Sequence, residues 1–256
     1  MTKLPVHRII PFSNVEGIGN RTSIFVQGCN LNCLYCHNSE TIPMTSKEVN
    51  YFSVDELVLK IKENMPFIRG ITISGGEPTI YNGFLTDLFK EVSKLGLTCY
   101  IDSNGFFNYK DCQDLIEVTD KFLFDIKGLG ESLEDLCFSN FLIDKRNSGS
   151  IKSNKEYIRE QTNLINLRSL LSLNKVEEVR LVYIKDYYEE EVVISNIAEE
   201  LKSYPDVPLK IIRVHAKGLP KDRMQVLKGH IPSKLDMEQL KNLAYSKGIH
   251  QINYIL

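Results

Sequence analysis

Three of the six cysteines fall within eight residues, Cys29-Asn-Leu-Asn-Cys33-Leu-Tyr-Cys36. Thiols at this spacing meet only if the chain folds back on itself. Three thiolates on one loop can hold three irons of a cubane cluster and leave the fourth iron open to an incoming ligand. Three other readings stand beside this one. Cys33-Leu-Tyr-Cys36-His37 matches the C-x-x-C-H string of c-type haem attachment, although no export signal accompanies it. A structural zinc site closed by His37 or by a distant cysteine is the second, although such sites usually come as two separated ligand pairs. A set of inert buried thiols is the third. Cys99, Cys112 and Cys137 read as isolated thiols in core-like or helical surroundings.

A second group of chemically capable residues recurs where strands are expected to end. Ser74-Gly75-Gly76-Glu77-Pro78 combines glycines, which let a backbone approach a ligand closely, with a carboxylate acceptor. Asp102-Ser103-Asn104-Gly105, Asp125-Ile126-Lys127, Arg180 and His215 are each placed in or just after an apolar run. Polar groups at the carboxyl ends of parallel strands are where α/β sheets put their sites. The bland alternatives are turn residues for 102–105, a surface ion pair for Asp125 with Lys127, and a satisfied core histidine for His215.

The elements that must position these residues follow from periodicity. Short β-branched or aromatic runs at 24–27, 71–74, 98–101, 122–124, 179–183 and 209–214 predict six strands. Between them, Ser53-Val-Asp-Glu56 is a capping-box helix start, 84–95 is helical and ends at Gly96, and 189–201 repeats apolar residues at helical spacing. Alternating strand and helix predicts an α/β fold with a parallel sheet and right-handed crossovers. The polar stretch 144–156 reads as an exposed loop, followed by a helix over about 157–173. No repeat or low-complexity tract is visible, so one domain over residues 1–256 is expected, with a core at about 8–215 and a carboxyl-terminal extension at about 233–256 made of one helix and a last strand.

Composition narrows the class. Apolar residues make up 43% and charged residues 25%, the balance of a globular protein. The 31 basic and 33 acidic residues are mixed along the chain, so nothing favours nucleic acid as a partner. Neither a secretory leader nor an apolar stretch of ~18 residues is present, which leads to the expectation of a cytoplasmic protein with no membrane association. In that compartment clustered cysteines point to metal or redox chemistry before disulfides.

The C-x-x-x-C-x-x-C spacing with an aromatic before the last cysteine resembles the defining motif of the radical S-adenosylmethionine (SAM) superfamily. The longer run Gln27-Gly-Cys-Asn-Leu-Asn-Cys-Leu-Tyr-Cys-His-Asn38 is similar to that of the glycyl-radical enzyme activases. The resemblance extends from about Arg8 to His215 and weakens over 129–175 and after Lys217. It implies a partial (β/α)6 barrel of parallel strands, open on one side, with a [4Fe-4S] cluster on Cys29, Cys33 and Cys36. It assigns Tyr35, His37, Asn38, Ser74, Gly75, Gly76, Glu77, Asn104, Lys127, Arg180 and His215 to binding SAM or the substrate loop. By the same analogy Asp102, Ser103, Asp125 and the Ile126 carbonyl would ligate a monovalent cation. Glu16-Gly17-Ile18-Gly19 stands where activases commonly read Asp-Gly-Pro-Gly, so Glu16, Gly17 and Gly19 are expected to face the substrate loop; Ile184-Lys-Asp replaces a common Val-Pro-Gly. The cysteine-rich insert of many activases is absent, because the next cysteine after Cys36 is Cys99, and a single cluster is expected.

The activity implied is one-electron cleavage of SAM to methionine and a 5'-deoxyadenosyl radical, which takes a hydrogen from a glycine Cα of a partner glycyl-radical enzyme. A flavodoxin or ferredoxin would be the reductant. The alternatives are a radical SAM enzyme acting on a small molecule or peptide, such as a deazapurine synthase-like enzyme, and a non-enzymatic iron-sulfur or zinc protein.

Overall fold

The computed structural model describes residues 2–137 and 162–256. Among these, nine strands form one sheet in the order β3-β1-β2-β4-β5-β6-β7-β8-β9. The strands are β1 (Leu4–Ser13), β2 (Arg21–Val26), β3 (Asn50–Phe52), β4 (Gly70–Gly75), β5 (Thr98–Ser103), β6 (Lys121–Ile126), β7 (Val176–Tyr183), β8 (Leu209–Arg213) and β9 (Ile252–Ile255). All neighbours from β2 through β9 pair in parallel. The six expected strands are therefore β2 and β4 to β8, and the last strand of the extension adds itself beside β8 as β9.

Two antiparallel strands at one side of the sheet went unforeseen. β1 runs antiparallel to β2, and the three-residue β3 antiparallel to β1. Pro5 and Pro11 lie within β1, and proline in an apolar run argues against a strand except at an edge or a bulge. Here the β1 to β2 register shifts between Ile10 and Ser13, around Pro11.

The helices are α1 (Val54–Asn64), α2 (Asn82–Ser93), α3 (Gln113–Val118), α4 (Glu131–Cys137), α5 (Thr162–Ser172), α6 (Glu190–Leu201), α7 (Lys221–Leu227) and α8 (Lys234–Ser246). α1 starts on the expected box: the Ser53 hydroxyl accepts from the Glu56 amide, and the Glu56 carboxylate accepts from the Ser53 amide. α8 opens on an unforeseen box of the same kind between Ser233 and Asp236. The expected loop at 144–156 and the start of the helix after it lie outside the described residues.

Strand alternation decides what each face of the sheet does. Ile71 and Ile73, Cys99 and Ile101, Phe122 and Phe124, Val179 and Leu181, and Leu209 and Ile211 are all buried and belong to the hydrophobic core. Their neighbours, in register across the sheet, are Thr72 and Ser74, Tyr100 and Asp102, Leu123 and Asp125, Glu178 and Arg180, and Lys210. A parallel sheet covered on both faces would read as continuous apolar runs. This one is polar at most alternate positions, Leu123 excepted, so one face packs on helices and the other is largely polar.

Candidate functional site

The cysteine loop leaves the end of β2 and is fixed by backbone bonds. The Gly28 amide donates to the Thr41 carbonyl at 2.7 Å and the Cys29 amide to the Ile42 carbonyl at 3.1 Å. Farther along, the Asn32 amide donates to the Cys137 carbonyl at 3.1 Å and the Leu34 amide to the Leu136 carbonyl at 2.7 Å. The end of α4 thus brackets Cys33 on both sides. Arg223 of α7, itself buried, donates to the Cys33 carbonyl at 2.5 Å and to the Asn32 side chain at 2.7 Å.

One cavity of about 180 Å³ collects most of the residues singled out from the sequence. Its wall contains Cys29, Cys33, Tyr35, Cys36, His37, Asn38, Ser74, Gly75, Gly76, Asp102, Ser103, Asn104, Asp125 and Lys127. Leu31, Ile42 and Val182 complete it. All these groups come from the carboxyl ends of β2, β4, β5, β6 and β7 or the segments that follow.

The two glycines are there because nothing larger fits. A Cβ on Gly76 would lie 1.8 Å from the Gly28 carbonyl oxygen, and one on Gly75 would lie 2.5 Å from the Val26 backbone at a φ of +108°. The β4 turn and the cysteine loop therefore touch backbone to backbone, and the Glu77 amide donates to the Gly28 carbonyl at 2.8 Å.

Glu77 is placed differently from the expectation of a carboxylate offered to a ligand. It is buried, absent from the cavity wall, and fully engaged. Its carboxylate accepts from the Thr79 amide at 3.1 Å, the Thr79 hydroxyl at 2.7 Å, the Ser103 hydroxyl at 2.9 Å and the Asn104 amide at 2.9 Å. Burial pushes its pKa up while these donors pull it down, and burial wins. The residue ties the β4 turn to the end of β5. Asn104 continues the chain, donating to the Asn30 side chain at 2.8 Å with its amide nitrogen 3.9 Å from Cys29 Sγ.

Two more expected ligand residues lie beside the cavity instead of on its wall. Arg180, buried, donates to Glu178 at 2.5 Å, Glu16 at 3.2 Å, Asp102 at 3.3 Å and the Val15 carbonyl at 3.3 Å. Burial disfavours its charge, but the surrounding carboxylates outweigh that and raise its pKa. The Glu16 carbonyl accepts from the Thr72 hydroxyl at 2.6 Å. The segment carrying Glu16 is therefore clasped across the concave face. Gly17 packs where a Cβ would come within 2.7 Å of the Tyr100 ring, and Gly19 beside Arg69. His215 sits behind His37: their ring nitrogens are 3.2 Å apart, and His37 Nε2 is 3.0 Å from the His215 carbonyl. Burial, with the His215 ring adding to it, lowers the His37 pKa against the opposing pull of that carbonyl.

The carboxylates named for a cation already have partners. Asp125 is paired with Lys127 at 2.5 Å, and Asp102 accepts from Ser74 at 2.9 Å as well as from Arg180. Burial raises the Asp102 pKa, opposed by Arg180. Burial disfavours the Lys127 charge, but Asp125 more than restores it. Tyr35 is buried with its ring 5.9 Å from Lys127 Nζ.

Cys137 was not foreseen at the site. Its Sγ lies 3.1 Å from Cys33 Sγ. The three motif thiols differ accordingly. Burial pushes Cys29 well up and Cys36 up to about 11, whereas the hydrogen bond from Cys137 brings Cys33 below the ordinary thiol value. No group of three His, Cys, Asp or Glu side chains among the described residues is arranged to hold a single metal ion.

Comparison with known proteins agrees with this geometry. The model of the radical SAM superfamily matches residues 23–160. A Haemophilus influenzae protein provisionally named as a glycyl-radical enzyme activating enzyme is 49% identical over 99% of this chain and 97% of its own length. The pyruvate formate-lyase-activating enzyme of Clostridium pasteurianum is 31% identical over 70% of this chain and 87% of its own. This chain belongs to the radical SAM superfamily, among the glycyl-radical enzyme activating enzymes. Membership of the radical SAM superfamily implies a [4Fe-4S] cluster and SAM. In fold, the chain is similar to Streptococcus suis SuiB, with a TM-score of 0.56 at 15% identity over 91% of this chain and 47% of the other. That likeness supports the partial barrel.

Proposed function

We propose that this radical SAM protein is an activase that installs a glycyl radical on a partner enzyme. The observation that carries the reading is one wall on which three thiols of a single loop face the Gly75-Gly76 backbone and a set of polar strand ends. The donor set fits both cofactors. Three thiolates suit three irons of a cubane. An amide and an ammonium on that wall, Asn104 and Lys127, suit the carboxylate of an amino-acid moiety. When bound, the reduced cluster and SAM supply a 5'-deoxyadenosyl radical able to take a hydrogen atom from carbon.

The chain's own residues hold and orient. Cys29, Cys33 and Cys36 are the cluster ligands. The Ser74 to Gly76 backbone, Asn104 and Lys127 hold SAM, with Tyr35, His37 and Asn38 on the same wall and His215 fixing the His37 ring. Glu77 acts through Asn104 and the Gly28 carbonyl, as a positioning residue. Asp102, Ser103, Asp125 and the Ile126 carbonyl are the oxygen donors for a monovalent cation, which must compete with Lys127 for Asp125 and with Arg180 for Asp102. Arg180 holds Glu16 across the concave face, where Glu16, Gly17 and Gly19 meet the partner's glycine loop. We read the chain as a single domain acting in the cytoplasm with a flavodoxin or ferredoxin as reductant; no helix of the described residues is long and apolar enough to cross a membrane.

The test is electron paramagnetic resonance of the anaerobic protein mixed with a glycyl-radical enzyme encoded beside it. A protein-centred doublet that requires SAM and reductant supports the proposal. A protein that cleaves SAM but leaves every such partner without a radical, while converting a small molecule, refutes it.

A further inference from the structure

Cys33 differs from the other two motif cysteines in having a second thiol behind it. Cys137, 104 residues away in sequence, places its Sγ 3.1 Å from Cys33 Sγ. Both side chains are buried. The approach is imposed by backbone, since the amides of Asn32 and Leu34, on either side of Cys33, donate to the carbonyls of Cys137 and Leu136. Arg223 holds the Cys33 carbonyl from the other side. Cys33 is on the cavity wall and Cys137 is not, so Cys137 approaches Cys33 from outside the cavity in which a cluster would be held.

The direction of the hydrogen bond follows from ligation. A cysteine bound to iron is a thiolate with no proton to give. The shared proton must then belong to Cys137, with the Cys33 sulfur as acceptor. Among the described residues the only other hydrogen-bond partner of Cys137 Sγ is the Lys127 carbonyl oxygen, at 4.0 Å, which is the weaker acceptor by distance and charge.

We propose that Cys137 donates its S–H to the Cys33 thiolate and thereby raises the reduction potential of the cluster, without ligating iron. The reduced cluster carries one more negative charge than the oxidised one, so a donor at a ligating sulfur stabilises it more. Hydrogen bonds to cluster sulfurs are among the determinants of iron-sulfur potentials. The consequence is a cluster easier to reduce in a buried site whose desolvation works against added charge.

The inference rests on the cluster assignment above, and the experiment separates the two. The full-length protein and its Cys137→Ala, Cys137→Val and Cys137→Ser variants are reconstituted anaerobically with iron and sulfide. Each is analysed for both elements and titrated potentiometrically by electron paramagnetic resonance without SAM. All four should carry a full cluster. Cys137→Ala and Cys137→Val, the second filling the space without a donor, should shift the midpoint downward by about 59 mV, a tenfold change in a one-electron equilibrium. Cys137→Ser, which keeps an O–H donor, should recover most of that shift. A midpoint unchanged or raised in both apolar variants overturns the inference. Iron loss from both, in folded protein, also overturns it by making Cys137 a ligand. Failure of the unmodified protein to assemble any cluster would refute the cluster assignment itself.

Discussion

The Asn104 amide donates to the Glu77 carboxylate at 2.9 Å, joining the end of β5 to the turn after β4 directly beneath the cavity. Three further donors from Thr79 and Ser103 converge on the same carboxylate. Glu77→Ala would leave four buried donors without an acceptor, at roughly 1–3 kcal/mol for each one not rescued by water. The expected outcome is a loss of about 3 kcal/mol in chemical denaturation, with weakened SAM binding in the surviving folded fraction. Unchanged stability with lost SAM binding would instead make Glu77 a direct ligand contact.

Gly76 and Gly83 make a matched pair for testing the backbone contact. Gly76→Ala forces a methyl into the Gly28 carbonyl and should prevent cluster assembly, read as iron content after reconstitution. Gly83, in the first turn of α2, has nothing within 4 Å of its Cβ position. Gly83→Ala should keep the cluster and gain about 0.5 kcal/mol of stability. Equal iron content in both variants would show that the loop contact does not matter.

Arg180 and Glu16 separate fold from partner docking. Removing the guanidinium leaves Asp102 and Glu16 without their cation and Glu178 with Lys210 alone, and Arg180→Ala should cost about 3–5 kcal/mol. Glu16→Gln leaves Arg180 its other two carboxylates and should be nearly neutral for stability and SAM cleavage, while lowering glycyl-radical yield in the partner. Loss of SAM cleavage in Glu16→Gln would place the segment in the cofactor pocket.

Acid should loosen the carboxyl-terminal helix at a defined point. Hydrogen bonds from Ser233 and the contact with Lys185 hold the Asp236 pKa down to about 2. A depressed carboxyl contributes stability that is complete above its unfolded value and is lost as pH falls through its folded value. The α8 contribution should thus be constant above about pH 4 and disappear toward pH 2. A carboxyl-carbon NMR titration of Asp236 with a midpoint near 4 would contradict this.

The parts of the site that were legible in the sequence are those whose chemistry is local. Three thiols on one loop, and Gly75-Gly76 after a strand, declare themselves by residue type and spacing. Strand alternation likewise announced β4 to β8. What stayed hidden depends on contacts between distant segments. Cys137 looked like an isolated helical thiol because its partner is 104 residues away. Arg223 lies in a stretch with no recognisable motif. Glu77 was read as an available carboxylate because nothing in Gly-Gly-Glu tells that Thr79, Ser103 and Asn104 would all turn toward it. β1 was missed because Pro5 and Pro11 argue against a strand, and only the register shift around Pro11, invisible in the sequence, accommodates the second of them.

The most direct test of the account is whether the cluster on Cys29, Cys33 and Cys36 cleaves SAM. Anaerobically reconstituted protein should carry close to four irons, and with dithionite and SAM should release 5'-deoxyadenosine, measured by mass spectrometry. Single alanine variants of any of the three cysteines should release none, and Cys99→Ala and Cys112→Ala should match the unmodified protein. An intact cluster that yields no 5'-deoxyadenosine, or a yield that survives loss of Cys33, would contradict the account.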